Sequence, residues 1–326
     1  MKKYASLLFL ALLLNGCDDG DLVVDTIDFS DPSITAATCN TTTNNIIYKL
    51  KKQESLLIQL PPNSLTNDAT EPGKPKTFDI NNTDIRVVYR AYNGLIGVDN
   101  ICGAIPPTTP AVTEEWQATA GKIVDVITAA VTDNTDGSST ITGYNHNIFF
   151  QNITFLKPAG PQVEAEYSFG LFKTTYNAPN TVFQTVVRQC PTSKQLFNFT
   201  PSSALTIDSI DPKLLENVVT PSNQPKTGLI GSSTNKVLLR TYNGTSLTQD
   251  YFCATPLPTT PTVNEIWTAD NGVQNVSGII EVSTTLVGST YFHKIVLKGV
   301  KLTRANSSFK LPTIYNYGIL EVSATP

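Results

Sequence analysis

One stretch decides the fold class: 85-IRVVYRAYNG-94. Apolar side chains occupy every second position at Ile85, Val87 and Tyr89, which is typical of a half-buried β-strand. The pair Asn93-Gly94 then favours the positive φ angles of a tight turn. The stretch therefore predicts a strand that ends in a hairpin.

The second part of this stretch recurs later in the chain. Arg90-Ala91-Tyr92-Asn93-Gly94 returns as Arg240-Thr241-Tyr242-Asn243-Gly244, 150 positions further on. Further matches keep the same order at shifts of 147 to 151: Pro75 with Pro225, Cys102 with Cys253, Glu114 with Glu265, Trp116 with Trp267, Tyr144 with Tyr291, His146 with His293 and Tyr167 with Tyr315. Solenoid repeats are about 20–50 residues long, so each copy here is expected to be a whole domain. We place the two copies at 37–177 and 178–326.

The pattern within each copy is β. Further strand candidates are 45–50, 55–60, 122–131, 144–150 and 167–174, and 211–216 could form one short helix. Seven or so strands in about 150 residues, with no helical crossovers, are typical of an antiparallel sandwich. The sequence therefore predicts an all-β protein of two tandem homologous antiparallel β-sandwich domains, either Ig-like or jelly-roll-like, with an open barrel as the alternative.

Composition narrows the class of partner. Charged residues make up 15% of the chain and the formal net charge is −4, against about 25% charged residues in typical soluble domains. The chain has no basic excess, so a nucleic-acid partner is not expected.

The first residues carry a targeting pattern. Lys2 and Lys3 precede a short apolar run from Ala5 to Leu14, and the run ends in Leu14-Asn15-Gly16-Cys17. This resembles a bacterial lipoprotein signal peptide with its lipobox, in which a basic start and a short apolar core precede the cleavage site. The resemblance implies that 1–16 are removed and that lipid on Cys17 is the membrane partner. Two or more acyl chains anchor a protein stably.

The acidic cluster Asp18-Asp19-Gly20-Asp21 follows Cys17 directly. Such a cluster resembles the surface-export signal of Bacteroidota-type lipoproteins, whereas an Asp after the Cys in proteobacterial lipoproteins resembles an inner-membrane retention signal. A block of like charge also repels itself and stays extended. We expect 17–36 to be an acidic flexible tether that holds the protein on the outer membrane at the cell surface.

Five cysteines remain to be accounted for, of which Cys17 is assigned to lipid. Cys39 and Cys102 lie 63 positions apart, and Cys190 and Cys253 have the same spacing. Four cysteines allow three pairings, and the duplication selects Cys39–Cys102 and Cys190–Cys253. The envelope is oxidising enough to permit both disulfides. A redox or metal site is disfavoured because the chain contains no C-x-x-C.

The two tryptophans, Trp116 and Trp267, occupy matching positions. Each could stack on a sugar ring as an exposed platform, or pack in the core near a disulfide as in other sandwich domains. Glu114 and Glu265 lie two residues earlier, on the same strand face as each tryptophan, and they complete the candidate ligand-binding set.

The remaining candidates favour structure over catalysis. His146 and His293 share a Tyr/Ile strand face, so we expect partly buried histidines, and the standard hydrolase, metalloprotease and P-loop motifs are missing. We expect no enzyme, no cofactor and no metal site, and we interpret 133-DNTDG-137 as a turn. Thr26 and Ser209 lie in triplets that resemble the Asp-Ser/Thr-aliphatic O-glycosylation site of Bacteroidota envelope proteins.

Two functions remain open at this stage. The first is a non-catalytic interaction or scaffold subunit of an envelope complex, with an outer-membrane barrel protein as its partner. The alternative is a glycan-binding accessory lipoprotein of a nutrient-uptake system. Exposure of the two tryptophans would favour the second.

Overall fold

The computed structural model describes residues 26–39, 45–244 and 246–324. The leader, Cys17 and the acidic cluster lie outside these residues. Within them, the described chain is built almost entirely of β-strands. The expected all-β class is confirmed, with two curled sheets, one in each half of the chain.

The first half forms one antiparallel sheet in the order β1-β2-β3-β5-β6-β7-β8, with β4 paired to β6. Its elements are β1 Ala37–Thr38, β2 Ile46–Lys51, β3 Glu54–Gln59, β4 Lys76–Asp79, β5 Arg86–Tyr92, α1 Asp99–Cys102, β6 Val112–Asp133, β7 Ser139–Lys157 and β8 Gly160–Thr175.

The long strand β6 curls this sheet. Its first part pairs with β5 and its later part pairs with β4, with register shifts between Ala118 and Lys122. Gly121 sits at this bend with φ +118°, and a Cβ there would lie 2.7 Å from the Cα of Ile153. Only glycine suits such a close backbone approach. The curled sheet encloses an apolar core that includes Trp116 and Phe150.

The second half forms a sheet in the order β12-β15-β16-β19-β9-β10-β11-β13-β14-β17-β18. Its elements are β9 Val186–Gln189, β10 Leu196–Phe199, β11 Ser203–Asp208, β12 Lys226–Leu229, β13 Lys236–Tyr242, α2 Gln249–Cys253, β14 Val263–Ala269, β15 Ile279–Val287, β16 Thr290–Lys298, β17 Lys301–Arg304, β18 Ser307–Lys310 and β19 Ile314–Ser323. The expected short helix is a 3-10 turn, Pro212–Leu215, capped by Asp211.

The expectation of purely antiparallel pairing is wrong at one place. β9 pairs parallel with β19, where Val186 lies opposite Ile319, while its other edge pairs antiparallel with β10. This short strand therefore joins the two parts of the second sheet.

The repeated stretches adopt matching geometry in the two halves. The ladder between β5 and β6 shifts register between Ala91 and Tyr92, and the ladder between β13 and β14 shifts between Thr241 and Tyr242. The tight hairpin predicted at Asn93-Gly94 is wrong, because β5 reaches its partner β6 through a long connection that carries α1. Asn93 instead closes the base of this connection by accepting, at Oδ1, from the Ala111 amide at 2.9 Å.

Both predicted disulfides are confirmed. Cys39 bonds to Cys102 and Cys190 bonds to Cys253, each at a sequence separation of 63. In each half the bond ties the short helix, α1 or α2, to a segment beside the sheet, Cys39 after β1 and Cys190 after β9.

The predicted flexible tether is wrong for its described part, which is packed on the first half. Ile27 and Phe29 are buried, and the Lys49 Nζ donates to the Phe29 carbonyl at 3.2 Å. Burial lowers the pKa of Lys49. Apolar burial and this hydrogen bond overcome the extension expected of an acidic segment, so the chain is fixed to the body from about Ile27 onward.

The predicted boundary near 177 lies in the connection between β8 and β9. The two halves nevertheless share a core across it. Ile127, Ile141 and Tyr144 of the first half belong to the same buried cluster as Trp267 and Phe309 of the second half.

Candidate functional site

Trp116 lies in β6 with its ring buried in the first-half core. Its indole nitrogen donates to Glu114 Oε2 at 3.1 Å, and its ring centroid lies 4.5 Å from that of Tyr89. The Lys157 Nζ lies 4.1 Å from the centre of the Trp116 ring, in the geometry of a cation–π contact.

Trp267 repeats this arrangement in the second half. It is fully buried, and its indole nitrogen donates to Glu265 Oε2 at 3.1 Å. The Arg304 guanidinium lies 5.1 Å from its ring centre, and Phe309 contacts it edge-on. Stacking on a sugar needs an exposed ring face. The platform interpretation of Trp116 and Trp267 is therefore wrong, and both are core residues.

Glu265 lies where the two halves meet. Its Oε1 lies 3.2 Å from Arg304 Nη1, and its Oε2 accepts from the Tyr176 hydroxyl at 2.6 Å. Arg304 in turn pairs with Asp68 Oδ1 at 3.2 Å and donates to the Asn67 carbonyl at 3.1 Å. Desolvation and the hydrogen bond to Glu265 together raise the pKa of Tyr176 well above its usual range. The predicted site residue Glu265 is thus part of an inter-half joint.

Glu114 has a different environment although its local geometry is the same. It is exposed, whereas the Glu265 side chain is only 13% exposed. In the β7–β8 ladder Lys157 lies opposite Gly160, and in the β17–β18 ladder Arg304 lies opposite Ser307. Lys157 and Arg304 therefore occupy equivalent positions in the two halves. The glutamate is therefore exposed in the first half and covered by the joint in the second, while the tryptophan is buried in both.

A long hairpin completes the joint. The β6–β7 pair projects beyond Tyr144, whose hydroxyl donates to Ser307 Oγ at 3.2 Å. The Lys310 amide donates to Ser139 Oγ at 2.9 Å, and the Thr313 amide donates to the Asp136 carbonyl at 3.1 Å. The segment 133–137 forms the tip of this hairpin, as a turn. In the described residues, no group of three or more His, Cys, Asp or Glu side chains is placed to hold a metal ion.

The two histidines are both buried. His146 Nδ1 lies 2.8 Å from Asp125 Oδ2, and its Nε2 lies 3.4 Å from the Thr174 hydroxyl. That hydroxyl donates at the shorter distance of 2.7 Å to Asn67 Oδ1, so its proton is directed at the amide instead of the imidazole. The aspartate and the histidine of this Asp–His–Thr series are therefore fully buried, and the threonine at its end is partly buried.

His293 has neutral partners in place of a carboxylate. Its Nδ1 lies 2.9 Å from Thr284 Oγ1 and its Nε2 lies 3.1 Å from Asn217 Oδ1. Burial, with a smaller effect from Lys226, lowers the pKa of His293 below its usual value.

A polar groove of about 490 Å³ runs beside the joint. The connection between the halves forms one wall of it, and the ends of β8, β13 and β14 form the rest. Its lining is rich in amides and hydroxyls and includes Asn67, Tyr176, Asn177, Asn180, Thr241 and Asn264. The Thr241 hydroxyl beneath this lining is buried and has no hydrogen-bond partner.

Two of the three candidate modification sites lie within the described residues. Thr26 and Ser209 are both exposed, and the isoleucine after each is buried. Each hydroxyl is therefore accessible on a fixed backbone. Cys17 lies outside the described residues.

No known protein family, curated protein or solved structure matches this chain. In the part of the chain that the structure describes, no helix combines the length and the apolar character needed to cross a membrane.

Sequence reasoning identified Glu265 and Trp267 but missed the residues that cover them, Asp68, Tyr176 and Arg304. The two halves differ in the length of the hairpin whose second strand carries the histidine. His146 lies 19 positions after its cross-strand partner Ile127, whereas His293 lies 9 positions after Thr284. The first half thus has a longer hairpin, and that extension forms the contact.

Proposed function

We propose that this chain is a lipid-anchored, non-catalytic interaction subunit of an outer-membrane complex. The observation that carries the proposal is the joint at Glu265, where Tyr176 and Arg304 contact a largely buried carboxylate and Arg304 also pairs with the exposed Asp68. A body held rigid in this way presents surfaces of both halves at fixed spacing, so a partner can contact both without a further ordering cost.

The two halves are homologous sandwich domains in this proposal, of the Ig-like or jelly-roll-like kind. Matching ladder shifts, equal disulfide spacings and the same Glu-to-indole hydrogen bond support a duplication. In this proposal the first copy has the longer hairpin, and the second copy packs against it.

The proposed cellular location of the protein rests on its N-terminal targeting sequence. Lipid on Cys17 would leave a short connection to Ile27, where the packed body begins, so the body would stand close to the membrane. Disulfides form in oxidising compartments such as the envelope, which agrees with an exported protein. The acidic cluster after Cys17 supports display on the cell surface of a Bacteroidota-type bacterium.

Two measurements test this proposed location. We expect the wild-type chain to incorporate labelled palmitate and the Cys17→Ser variant to lose that label and its membrane association. We also expect protease added to intact cells to digest the protein. A chain that remains protected until the cells are lysed would exclude surface display.

The interaction role is tested by mild detergent extraction and native affinity purification from the source cells. We expect a barrel protein to co-purify in a fixed ratio with the wild-type chain, and the ratio to fall for Arg304→Ala, which loosens the joint. Glu114→Ala is the matched control, because its carboxylate lies outside the joint. A chain that purifies alone would contradict the proposal.

A second candidate, glycan binding, is favoured by the polar groove beside Tyr176 and not by the tryptophans. Exposed amide groups such as those of Asn177 and Asn264 are suitable partners for sugar hydroxyls. Calorimetric titration of the full chain with mannan, pectin and starch oligosaccharides tests it. Binding that Asn264→Ala weakens would support this function, and no heat with any of the three would count against it.

Thr26 and Ser209 are proposed as O-glycosylated residues on the strength of their triplets and their exposure. Intact-mass measurement of the protein from its own cells should show sugar that Thr26→Ala and Ser209→Ala each remove in part. An unmodified mass would rule out both sites.

A further inference from the structure

The second half exposes an apolar surface at the tip of its β15–β16 hairpin, here called the distal patch. It consists of Val218, Val219, Leu286 and Val287, which are 60%, 51%, 44% and 67% exposed. The two pairs lie next to each other because Thr220 and Thr284 are hydrogen-bonded, with the Thr220 amide donating to the Thr284 carbonyl at 3.0 Å. Contiguous exposed apolar surface marks an interaction site more often than single exposed side chains do.

The distal patch corresponds to the surface that the first half uses at the joint. Thr70 bonds to Ile127 as Thr220 bonds to Thr284, so Asp68 and Ala69 correspond to Val218 and Val219. Ala129 lies opposite Tyr144 as Leu286 lies opposite Tyr291. At the joint Ala69 and Tyr144 are buried, whereas in the second half the matching Val219 is exposed and Tyr291 is only partly buried.

The joint also shows what kind of surface covers this end of a domain. The hairpin β17–β18 and the residue after it place Ser307, Phe309 and Leu311, all buried, against the first half. The covering element is therefore a β-hairpin that presents buried apolar side chains, while its Arg304 pairs with Asp68, for which the distal patch has Val218.

Within the described residues, the two equivalent hairpins of a second copy do not offer such a surface. Its own β17–β18 hairpin is occupied within the molecule. The matching positions on the β7–β8 hairpin of the first half are Gly160, Gln162 and Glu164, and the last two are linked by a hydrogen bond between their side chains. This polar hairpin suits solvent and not an apolar patch.

We propose that the distal patch binds an apolar β-hairpin of a different protein, in the way that β17–β18 covers the first half. The inference rests on the proposed duplication and names the partner chemistry for the interaction role. Its larger side chains, Val219 and Leu286 in place of Ala69 and Ala129, give more apolar area to bury than the joint itself uses.

The test supplies the missing hairpin on the same chain. The substitutions Gln162→Phe and Glu164→Leu, with Lys157→Arg, give β7–β8 the side chains of β17–β18 at the same register. If the distal patch accepts this surface, the full-length variant will associate head to tail. Sedimentation equilibrium in density-matched detergent measures its mass over a range of concentrations. Val163→Phe with Ala165→Leu is the matched control, since it adds apolar bulk to neighbouring exposed positions.

We expect the wild type and the control to stay monomeric, and the grafted variant to rise at least about twofold in average mass. Adding Val219→Asp and Val287→Asp to the graft should restore the monomer. A grafted chain that stays monomeric would overturn the proposal, as would association that persists with both aspartates. Wild-type dimers that Val219→Asp abolishes would mean that a second copy covers the patch. If the triple variant fails to fold, Glu164→Leu alone is compared in the same way. Lipid labelling and co-purification in cells report on the proposed function separately.

Discussion

The Tyr176 hydroxyl donates to Glu265 at 2.6 Å, across the boundary between the two halves. The same carboxylate accepts from the buried indole of Trp267 and pairs with Arg304. A Glu-x-Trp pattern that occurs twice in the sequence therefore has two roles. At Trp116 the glutamate faces solvent, and at Trp267 it holds the halves together. A comparison of equivalent substitutions at Glu114 and Glu265 therefore measures how much the joint contributes to the free energy of unfolding.

We predict that Glu265→Gln destabilises the protein by about 2–3 kcal/mol, because the half-buried Arg304 loses its better buried carboxylate partner and keeps only the exposed Asp68. The matched change Glu114→Gln should cost less than about 0.5 kcal/mol, since that side chain is exposed. Urea unfolding followed by tryptophan fluorescence measures both. Equal losses for the two variants would contradict the structural difference between the sites.

Tyr176→Phe isolates the hydrogen bond across the joint, because it removes only a hydroxyl. A hydrogen bond to a charged group contributes about 1.5–3 kcal/mol, and we expect a loss of that size in the free energy of unfolding. We further expect faster hydrogen exchange in 134–139, the hairpin tip that rests on the second half. A variant with unchanged stability and exchange would show that this hydrogen bond does not help to hold the joint.

The sequence pattern predicted the class of the fold but not the association of its parts. Alternation at Ile85, Val87 and Tyr89 indicated a strand, and equal cysteine spacing indicated both disulfides, because these are local or repeated signals. The joint depends on Arg304 and Asp68, which lie far apart in the chain and in segments with different residues in the other half. The Asn93-Gly94 turn failed for a related reason: the pair favours a tight turn locally, but the disulfide at Cys102 requires a longer connection.

We predict that the two disulfides contribute equally to stability. Both span 63 positions, and the chain-entropy description assigns a loop of that length about 4 kcal/mol. The variants Cys39→Ser/Cys102→Ser and Cys190→Ser/Cys253→Ser should therefore lose similar amounts in urea unfolding. A loss confined to one variant would mean that strain or residual structure in the unfolded chain dominates over loop length.

The buried His293 predicts a loss of stability in mild acid. Its pKa is lowered in the folded protein, so as the pH falls through the usual histidine value near 6.5 the unfolded chain takes up a proton first. Its contribution to stability is complete above that pH and decreases as the pH falls toward the lowered folded value. Urea unfolding from pH 8 to pH 5 should show this decrease in the wild type and a smaller one in His293→Gln. Parallel pH profiles for the two proteins would exclude His293 as its source.

The packed segment 26–36 predicts where the folded unit begins. Phe29→Ala removes a buried ring and should cost about 3–5 kcal/mol if the segment is part of the folded unit. Lys49→Met keeps the aliphatic stem but removes the donor to the Phe29 carbonyl, and its smaller effect should appear as faster proteolysis within 26–36. Limited proteolysis with mass spectrometry locates the cuts, and Lys52→Met, at an exposed position, is the control. If Phe29→Ala leaves both stability and cleavage unchanged, the segment does not pack on the first half in solution, and the connection to Cys17 is about ten residues longer than the structure implies.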